Sequence, residues 1–95
     1  MSELLEPDQV DNELDRLSGW RRDGATIVLD QTHADFAAAL ARLNEIADLA
    51  EQADHHPDLM PHGWNGLQVR LSTHSAGGIT EADIALARKI DALAG

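Results

Sequence analysis

Residues 66–74 alternate strictly between apolar and polar side chains, and this pattern restricts the possible folds more than any other part of the sequence. An alternation with a period of two predicts a β-strand that is buried on one face and solvated on the other. The face expected to be buried carries Leu67, Val69, Leu71 and Thr73, and the solvated face carries Gln68, Arg70, Ser72 and His74. The chain is therefore expected to contain a sheet that is covered on one side only.

Three amphipathic stretches predict helices. The first covers Pro7–Leu17, with proline in its first turn. The second is expected to begin after Thr32, as the N-cap, and to run to about Ala53; the third begins after Thr80 and runs to about Leu93. The side chains predicted to face the core are Val10, Leu14 and Leu17; Phe36, Leu40, Leu43, Ala47 and Ala50; and Ile84, Ala87, Ile90 and Ala94.

Residues 20–32 predict a β-hairpin, because Asp23-Gly24 favours a tight turn and residues 25–29 are rich in β-branched side chains. His62 is expected to lie in the loop before the last strand. The order of elements is then helix, two strands, helix, two strands, helix. This order predicts a single α+β domain over residues 1–95, with an antiparallel sheet covered by helices on one face.

Charge and composition exclude several classes of function. Seventeen acidic residues face seven basic ones, and Lys89 is the single lysine, so a nucleic-acid or anionic-membrane partner is not expected. The absence of cysteine excludes disulfides and thiolate zinc sites. The longest apolar run, Phe36–Ala41, is too short to span a bilayer, and the acidic start Met1-Ser2-Glu3 does not resemble a signal peptide. A cytoplasmic location is expected.

Histidine is the residue type in this sequence that most suggests a catalytic or metal-binding site. Four of the five histidines lie between positions 55 and 74, namely His55, His56, His62 and His74. Three interpretations compete: ordinary surface or core histidines, a metal site, and acid–base catalysis without a metal. No spacing typical of metal ligands on one helix or strand is present, so no metal is expected.

Several segments together resemble the signature of the pterin-4a-carbinolamine dehydratases, which are also called 4a-hydroxytetrahydrobiopterin dehydratases. The resemblance covers nearly the whole chain, from residues 14–20 to the last helix. It is carried by residues 51–58 (EQADHHPD), Trp64-Asn65, residues 71–74 (LSTH), residues 77–80 (GGIT) and Asp83. It implies a four-stranded antiparallel sheet with three helices on one face, in agreement with the order of elements above.

The resemblance also implies an activity and a set of site residues. Members dehydrate a 4a-hydroxytetrahydropterin to quinonoid dihydropterin in tetrahydropterin recycling, with no metal and no cofactor. The implied catalytic residues are His55, His56 and His74. The implied substrate-binding residues are Glu51, Pro57 and Trp64, with Glu51 as a carboxylate that supports an imidazole. Which histidine acts as acid, base or binding group stays open.

Three other residues either depart from the family's pattern or have a structural explanation. Leu59 stands where many members have an aromatic residue, which would remove one wall from a pterin site. Asp83 is expected to act first as a capping residue of the third helix. His62, which is outside the family's pattern, is expected to be an exposed loop histidine.

Two alternatives and an oligomeric state accompany this prediction. The same fold could serve as a non-enzymatic binding, assembly or coactivator protein, or the chain could dehydrate another pterin. A homodimer or homotetramer is expected, because a four-stranded sheet has two free edges and family members associate through such edges. The candidate contact surfaces are the hairpin strands around residues 25–29 and the helix at residues 32–53.

Overall fold

The computed structural model describes residues 3–93, and in that range four strands form one antiparallel sheet. The strands are β1 (Trp20–Asp23), β2 (Thr26–Thr32), β3 (Asp58–His62) and β4 (Gly66–Leu71). Their order across the sheet is β1-β2-β4-β3. The helices α1 (Pro7–Leu14), α2 (Phe36–Ala53) and α3 (Glu81–Asp91) cover one face, which confirms the predicted α+β fold.

The core lies between the helices and the alternating apolar side chains of the two central strands. Ile27, Leu29, Leu67, Val69 and Leu71 are all at most 5% exposed. The helices contribute buried residues to the same cluster, among them Val10, Leu14, Ile46, Ala50, Ile84, Ala87 and Ile90. The opposite face of the sheet is left open, as the alternation in residues 66–74 predicted.

One strand of the predicted hairpin is a free edge of the sheet, but the strand around residues 25–29 is not. This strand is β2, and it pairs with β1 on one side and with β4 on the other: Ile27 lies opposite both Arg22 and Leu71. The free edges of the sheet are β1 and β3. The turn between β1 and β2 has Gly24 and Ala25 as its two central residues, and Gly24 takes the positive φ of 60° that such a turn requires.

The beginning of α2 also differs from the prediction. Thr32 is the last residue of β2, and the N-cap is Asp35, whose carboxylate accepts a hydrogen bond from the Ala38 amide at 2.8 Å. The helix begins at Phe36, so this side chain lies in the first turn, where it is 50% exposed and outside the core. The buried face of α2 is formed by Ala39, Ile46 and Ala50, with Leu43 and Leu49 packed against the cluster.

Three further boundaries depart from the sequence pattern. Helix α1 ends at Leu14 instead of Leu17, because the amides of Arg16 and Leu17 bond three residues back and tighten the last turn. His62, which was predicted to lie in a loop, is the last residue of β3, and Leu59 and Pro61 of this strand face the core side. Strand β4 ends at Leu71 instead of His74.

The third helix begins as predicted. Thr80 is the N-cap of α3 and forms a capping box with Asp83. The helix ends at Asp91, two residues before the predicted Leu93, and Ala94 lies outside the described residues. No helix within residues 3–93 is both long enough and apolar enough to cross a membrane.

Candidate active site

A cleft on the open face of the sheet collects side chains from the central strands, from β3 and from the segments that follow α2 and β4. Arg70 and Ser72 alternate with the buried Leu71, and cross-strand pairing places Asp58 beside Arg70. The cleft is lined by Thr26, His56, Asp58, Arg70, Ser72 and His74. Two of the three predicted catalytic histidines therefore share one cleft with a carboxylate and a guanidinium group.

The end of α2 fixes where His55 and His56 lie. Asp54 takes the left-handed conformation, with φ 49° and ψ 44°. The Asp54 amide then bonds to the Glu51 carbonyl at 3.2 Å, and the His55 amide bonds to the Ala50 carbonyl at 3.1 Å, as in a Schellman motif. The predicted helix end at Ala53 is confirmed, and the backbone of His55 is tied to the last turn of the helix.

The His55 ring contacts the beginning of α3 and is not itself among the side chains that line the cleft. Its Nε2 atom lies 2.5 Å from Oδ1 of Asp83, which is completely buried. The His55 side chain is 16% exposed. A buried carboxylate that contacts an imidazole holds the ring in one orientation, as in the catalytic units of many hydrolases. The sequence predicted only a capping role for Asp83, because that role is local whereas its contact with His55 spans 28 residues.

The neighbouring His56 contacts Glu51. Its Nε2 atom lies 2.9 Å from Glu51 Oε1, and both side chains are well exposed, at 59% and 76%. The predicted contact between Glu51 and an imidazole thus falls on His56, which lines the cleft. An exposed pair of this kind adds little stability, so its value lies in orienting the ring.

His74 is carried by a short 3₁₀ helix over His74–Ala76, directly after the last strand. The backbone of Thr73 anchors this turn: its carbonyl accepts from the amides of Ala76, Gly77 and Gly78, and its amide donates to Gly78. Gly77 takes the positive φ of 78° that closes the turn. His74 is therefore an exposed side chain on a well-anchored backbone.

Arg70 brings a positive charge to the cleft. Its guanidinium donates to Asp23 Oδ2 at 2.9 Å, and its side chain is 33% exposed. Asp58 lies opposite Arg70 in the register of β3 and β4. The cleft therefore offers charged groups of both signs, which suits a ligand with several hydrogen-bond donors and acceptors.

None of the three predicted substrate-binding residues lines the cleft itself, although Glu51 contacts His56, which does. Trp64 is 66% exposed in the turn between β3 and β4, at the opposite end of the hairpin from Asp58. Four residue steps of β3 separate Asp58 from His62, about 13 Å at the usual rise of about 3.3 Å per residue, and Trp64 lies beyond them. Pro57 is half-buried between His56 and β3, where it directs the chain into the strand.

Leu59, which stands where many family members have an aromatic residue, does not remove a wall of the cleft. Its side chain faces the core side of β3 and packs against the buried cluster, so it does not face the cleft. His62 is exposed, as expected, but it is the last residue of β3 and not a loop residue. Among the described residues, no group of three or more His, Asp or Glu side chains is arranged to hold a metal ion.

The fold is an α+β sheet with one open face, and the site is a histidine cleft on that face. The sequence profile of the family described as Pterin 4 alpha carbinolamine dehydratase matches residues 3–93. This chain belongs to that family.

Individual relatives agree with this assignment. A protein of Thermosynechococcus vestitus named "Putative pterin-4-alpha-carbinolamine dehydratase" is 44% identical over 94 residues, which cover 99% of this chain and 98% of the relative. The crystal structure of a transcriptional coactivator/pterin dehydratase from Brucella melitensis superposes with a TM-score of 0.88 at 35% identity, over 96% of this chain and 98% of that one. A pterin dehydratase-like RuBisCO assembly factor of the α-carboxysome has a TM-score of 0.65 at 29% identity, over 81% and 90% of the two chains.

Proposed function

We propose that this protein removes water from a 4a-hydroxytetrahydropterin and releases quinonoid dihydropterin. The C4a–O bond breaks as the hydroxyl receives a proton and leaves as water. The N5–H proton passes to a base, and the N5 electron pair forms the N5–C4a double bond. One proton is delivered and one is removed, so the reaction needs an acid and a base but no oxidant.

The observation that supports this proposal is the convergence of histidines at one corner of the molecule. His56 and His74 line the same cleft, and His55 lies next to His56 with its ring held by Asp83. Histidine exchanges protons near neutral pH, so neighbouring imidazoles can supply both the acid and the base. We assign the two proton transfers to His55 and His74, and the binding of the ring to His56 with Glu51.

The polar side chains of the cleft account for binding of the pterin. Its pyrimidine ring carries an amino group, a ring N–H and a carbonyl. Asp58 can accept from the donors, and Arg70 can donate to the acceptor. The Ser72 hydroxyl, which donates to the Ala25 carbonyl at 2.9 Å, can accept a further hydrogen bond. Trp64, which lies at the far end of the hairpin, contributes an aromatic wall in this proposal only if a second copy brings it to the cleft.

The direct test is the dehydration of an enzymatically generated 4a-carbinolamine, with its spontaneous breakdown subtracted. The purified protein is expected to accelerate appearance of the quinonoid product, and the acceleration is expected to persist after treatment with a chelator. No acceleration would contradict the proposed activity. Loss of activity on chelation, restored by zinc, would contradict the metal-free mechanism alone.

The alternative is a binding role on the same fold, as the descriptions of the Brucella coactivator and the RuBisCO assembly factor suggest for those proteins. The histidine corner favours catalysis, because a pure scaffold does not need Glu51, His55, His56 and His74 together. We further propose that the substrate is the 4a-carbinolamine of tetrahydropterin recycling, and that the protein acts in the cytoplasm.

A further inference from the structure

We propose that Thr73 is a positioning residue that sets His55 and His74 together, with its side chain acting on one histidine and its backbone on the other. The hydroxyl groups of Thr73 and Thr80 and the carboxylate of Asp83 form a small buried group, which we call the threonine–aspartate cluster. Thr73 is 8% exposed, and Thr80 and Asp83 are completely buried. The kinetic part of this inference rests on the proposed function, whereas its spectroscopic part does not.

The directions of the hydrogen bonds in the cluster follow from its donors. Thr73 Oγ1 donates to Asp83 Oδ2 at 2.8 Å, so its single proton is committed. The contact of 2.8 Å between the two threonine hydroxyls must then have Thr80 as the donor. The Thr80 amide also donates to Asp83 Oδ2 at 2.8 Å. One carboxylate oxygen thus accepts two bonds, and the carboxylate plane is held in place.

The other carboxylate oxygen is thereby aimed at His55. Asp83 Oδ1 lies 2.5 Å from His55 Nε2, and an ionised carboxylate can only accept. The proton of the neutral imidazole therefore lies on Nε2, and Nδ1 carries the lone pair. Within residues 3–93, Nδ1 makes no hydrogen bond to protein, so it is the ring atom available to exchange a proton with a substrate.

The backbone of Thr73 performs the second task. Four backbone hydrogen bonds connect Thr73 with residues 76–78 and close the turn that presents His74. A shift of residue 73 would therefore move both histidines to which the proton transfers are assigned. This coupling distinguishes Thr73 from Thr80, which contacts the carboxylate but does not carry the His74 turn.

The first test uses the unaltered protein labelled with ¹⁵N, with proton–nitrogen correlations of the His55 ring recorded as the pH is raised. We expect His55 to lose the proton from Nδ1 and to keep the one on Nε2. Loss of the Nε2 proton would overturn the inference without any variant, because it would mean that Asp83 does not accept from this ring.

The second test compares Thr73→Val with Thr73→Ser, and uses Thr32→Val at an exposed strand end as the matched control. Valine keeps the shape but removes the hydroxyl, so we expect the His55 ring to populate both neutral forms and kcat to fall roughly ten-fold at unchanged KM. Serine is expected to recover most of both effects. A Val variant with the unaltered ring pattern and unaltered kcat would overturn the inference.

The two measurements also separate this inference from the proposed activity. If the ring of His55 responds to Thr73→Val but no dehydration occurs with any form of the protein, the positioning role stands and the proposed function fails. If the Val variant does not fold, the titration of the unaltered protein still decides whether Asp83 fixes the proton on Nε2.

Discussion

At the scale of single residues, the functional assignment depends on contacts that connect distant positions. Asp83 shows this most clearly. The sequence predicts its role in the capping box, and the structure confirms it, but the same carboxylate also contacts His55. Asp58 and Arg70 are a second example, because only the register of β3 against β4 places them in one cleft with His56 and His74.

The pKa of Asp30, on the open face of the sheet, tests the hydrogen bonds of that face. The Gln68 amide donates to Asp30 at 3.0 Å, and the Arg21 guanidinium also donates to it. These bonds, that of Gln68 first, hold the pKa of Asp30 below its ordinary value of 3.8. Gln68→Ala is expected to raise the pKa of Asp30 toward that value, as measured by ¹³C NMR titration of the carboxyl group.

The sign of the stability effect follows from the lowered pKa. Because the pKa is lower in the folded state, the stabilisation is present above the unfolded value of 3.8 and is lost as the pH falls through the folded value. Gln31→Ala is the matched control, because Gln31 bonds to His33 on the other side of β2. An unchanged titration of Asp30 in Gln68→Ala would contradict this account of the open face.

At the scale of elements, the starts of α1 and α3 and the end of α2 were predicted correctly, whereas the start of α2 and the ends of α1 and α3 were not. The end of α2 at Ala53 and the cap of α3 at Thr80 follow from local signals in the sequence. The start of α2 was predicted wrongly, because pairing of Thr32 with Gly66 extends β2 and leaves Asp35 to cap the helix. Tertiary pairing therefore overrode a local capping signal.

The left-handed residue at the end of α2 allows a prediction about the stability of the helix end. Asp54 has a left-handed conformation, which glycine adopts at little cost and alanine does not. Asp54→Gly is expected to be more stable to urea than Asp54→Ala by about 1 kcal/mol. Both variants remove the same charge, so their difference isolates the backbone conformation. An Ala variant as stable as the Gly variant would contradict the importance of this cap.

At the scale of the whole molecule, the class of fold was predictable but the arrangement of its parts was not. The alternation in residues 66–74 and three amphipathic stretches are local patterns, and they were sufficient for an α+β fold. The order of strands depends on pairing between distant segments, so the sequence did not show which of the two hairpin strands would be the edge. The core face of α2 was also misjudged, because the exposure of Phe36 depends on where the helix begins relative to the sheet.

The protein is expected to form a homo-oligomer. Two free sheet edges and the exposed apolar side chains Phe36, Met60 and Trp64 favour self-association. Sedimentation equilibrium is expected to give a dimer or tetramer of the 10.3 kDa chain. Phe36→Glu is expected to lower the mass if α2 forms an interface, whereas Leu4→Glu, at a similarly exposed position elsewhere, is expected not to. A monomer of the unaltered chain would contradict this prediction.

The most direct test of the central claim is the rate of carbinolamine dehydration by His74→Ala beside the unaltered protein. If His74 transfers a proton in the cleft, kcat is expected to fall by about 10² or more. His62→Ala is the matched control, because His62 is an exposed histidine outside the cleft, at the far end of β3. It is expected to retain the full rate. Normal rates in folded His74→Ala, His55→Ala and His56→Ala variants would contradict histidine catalysis at this site.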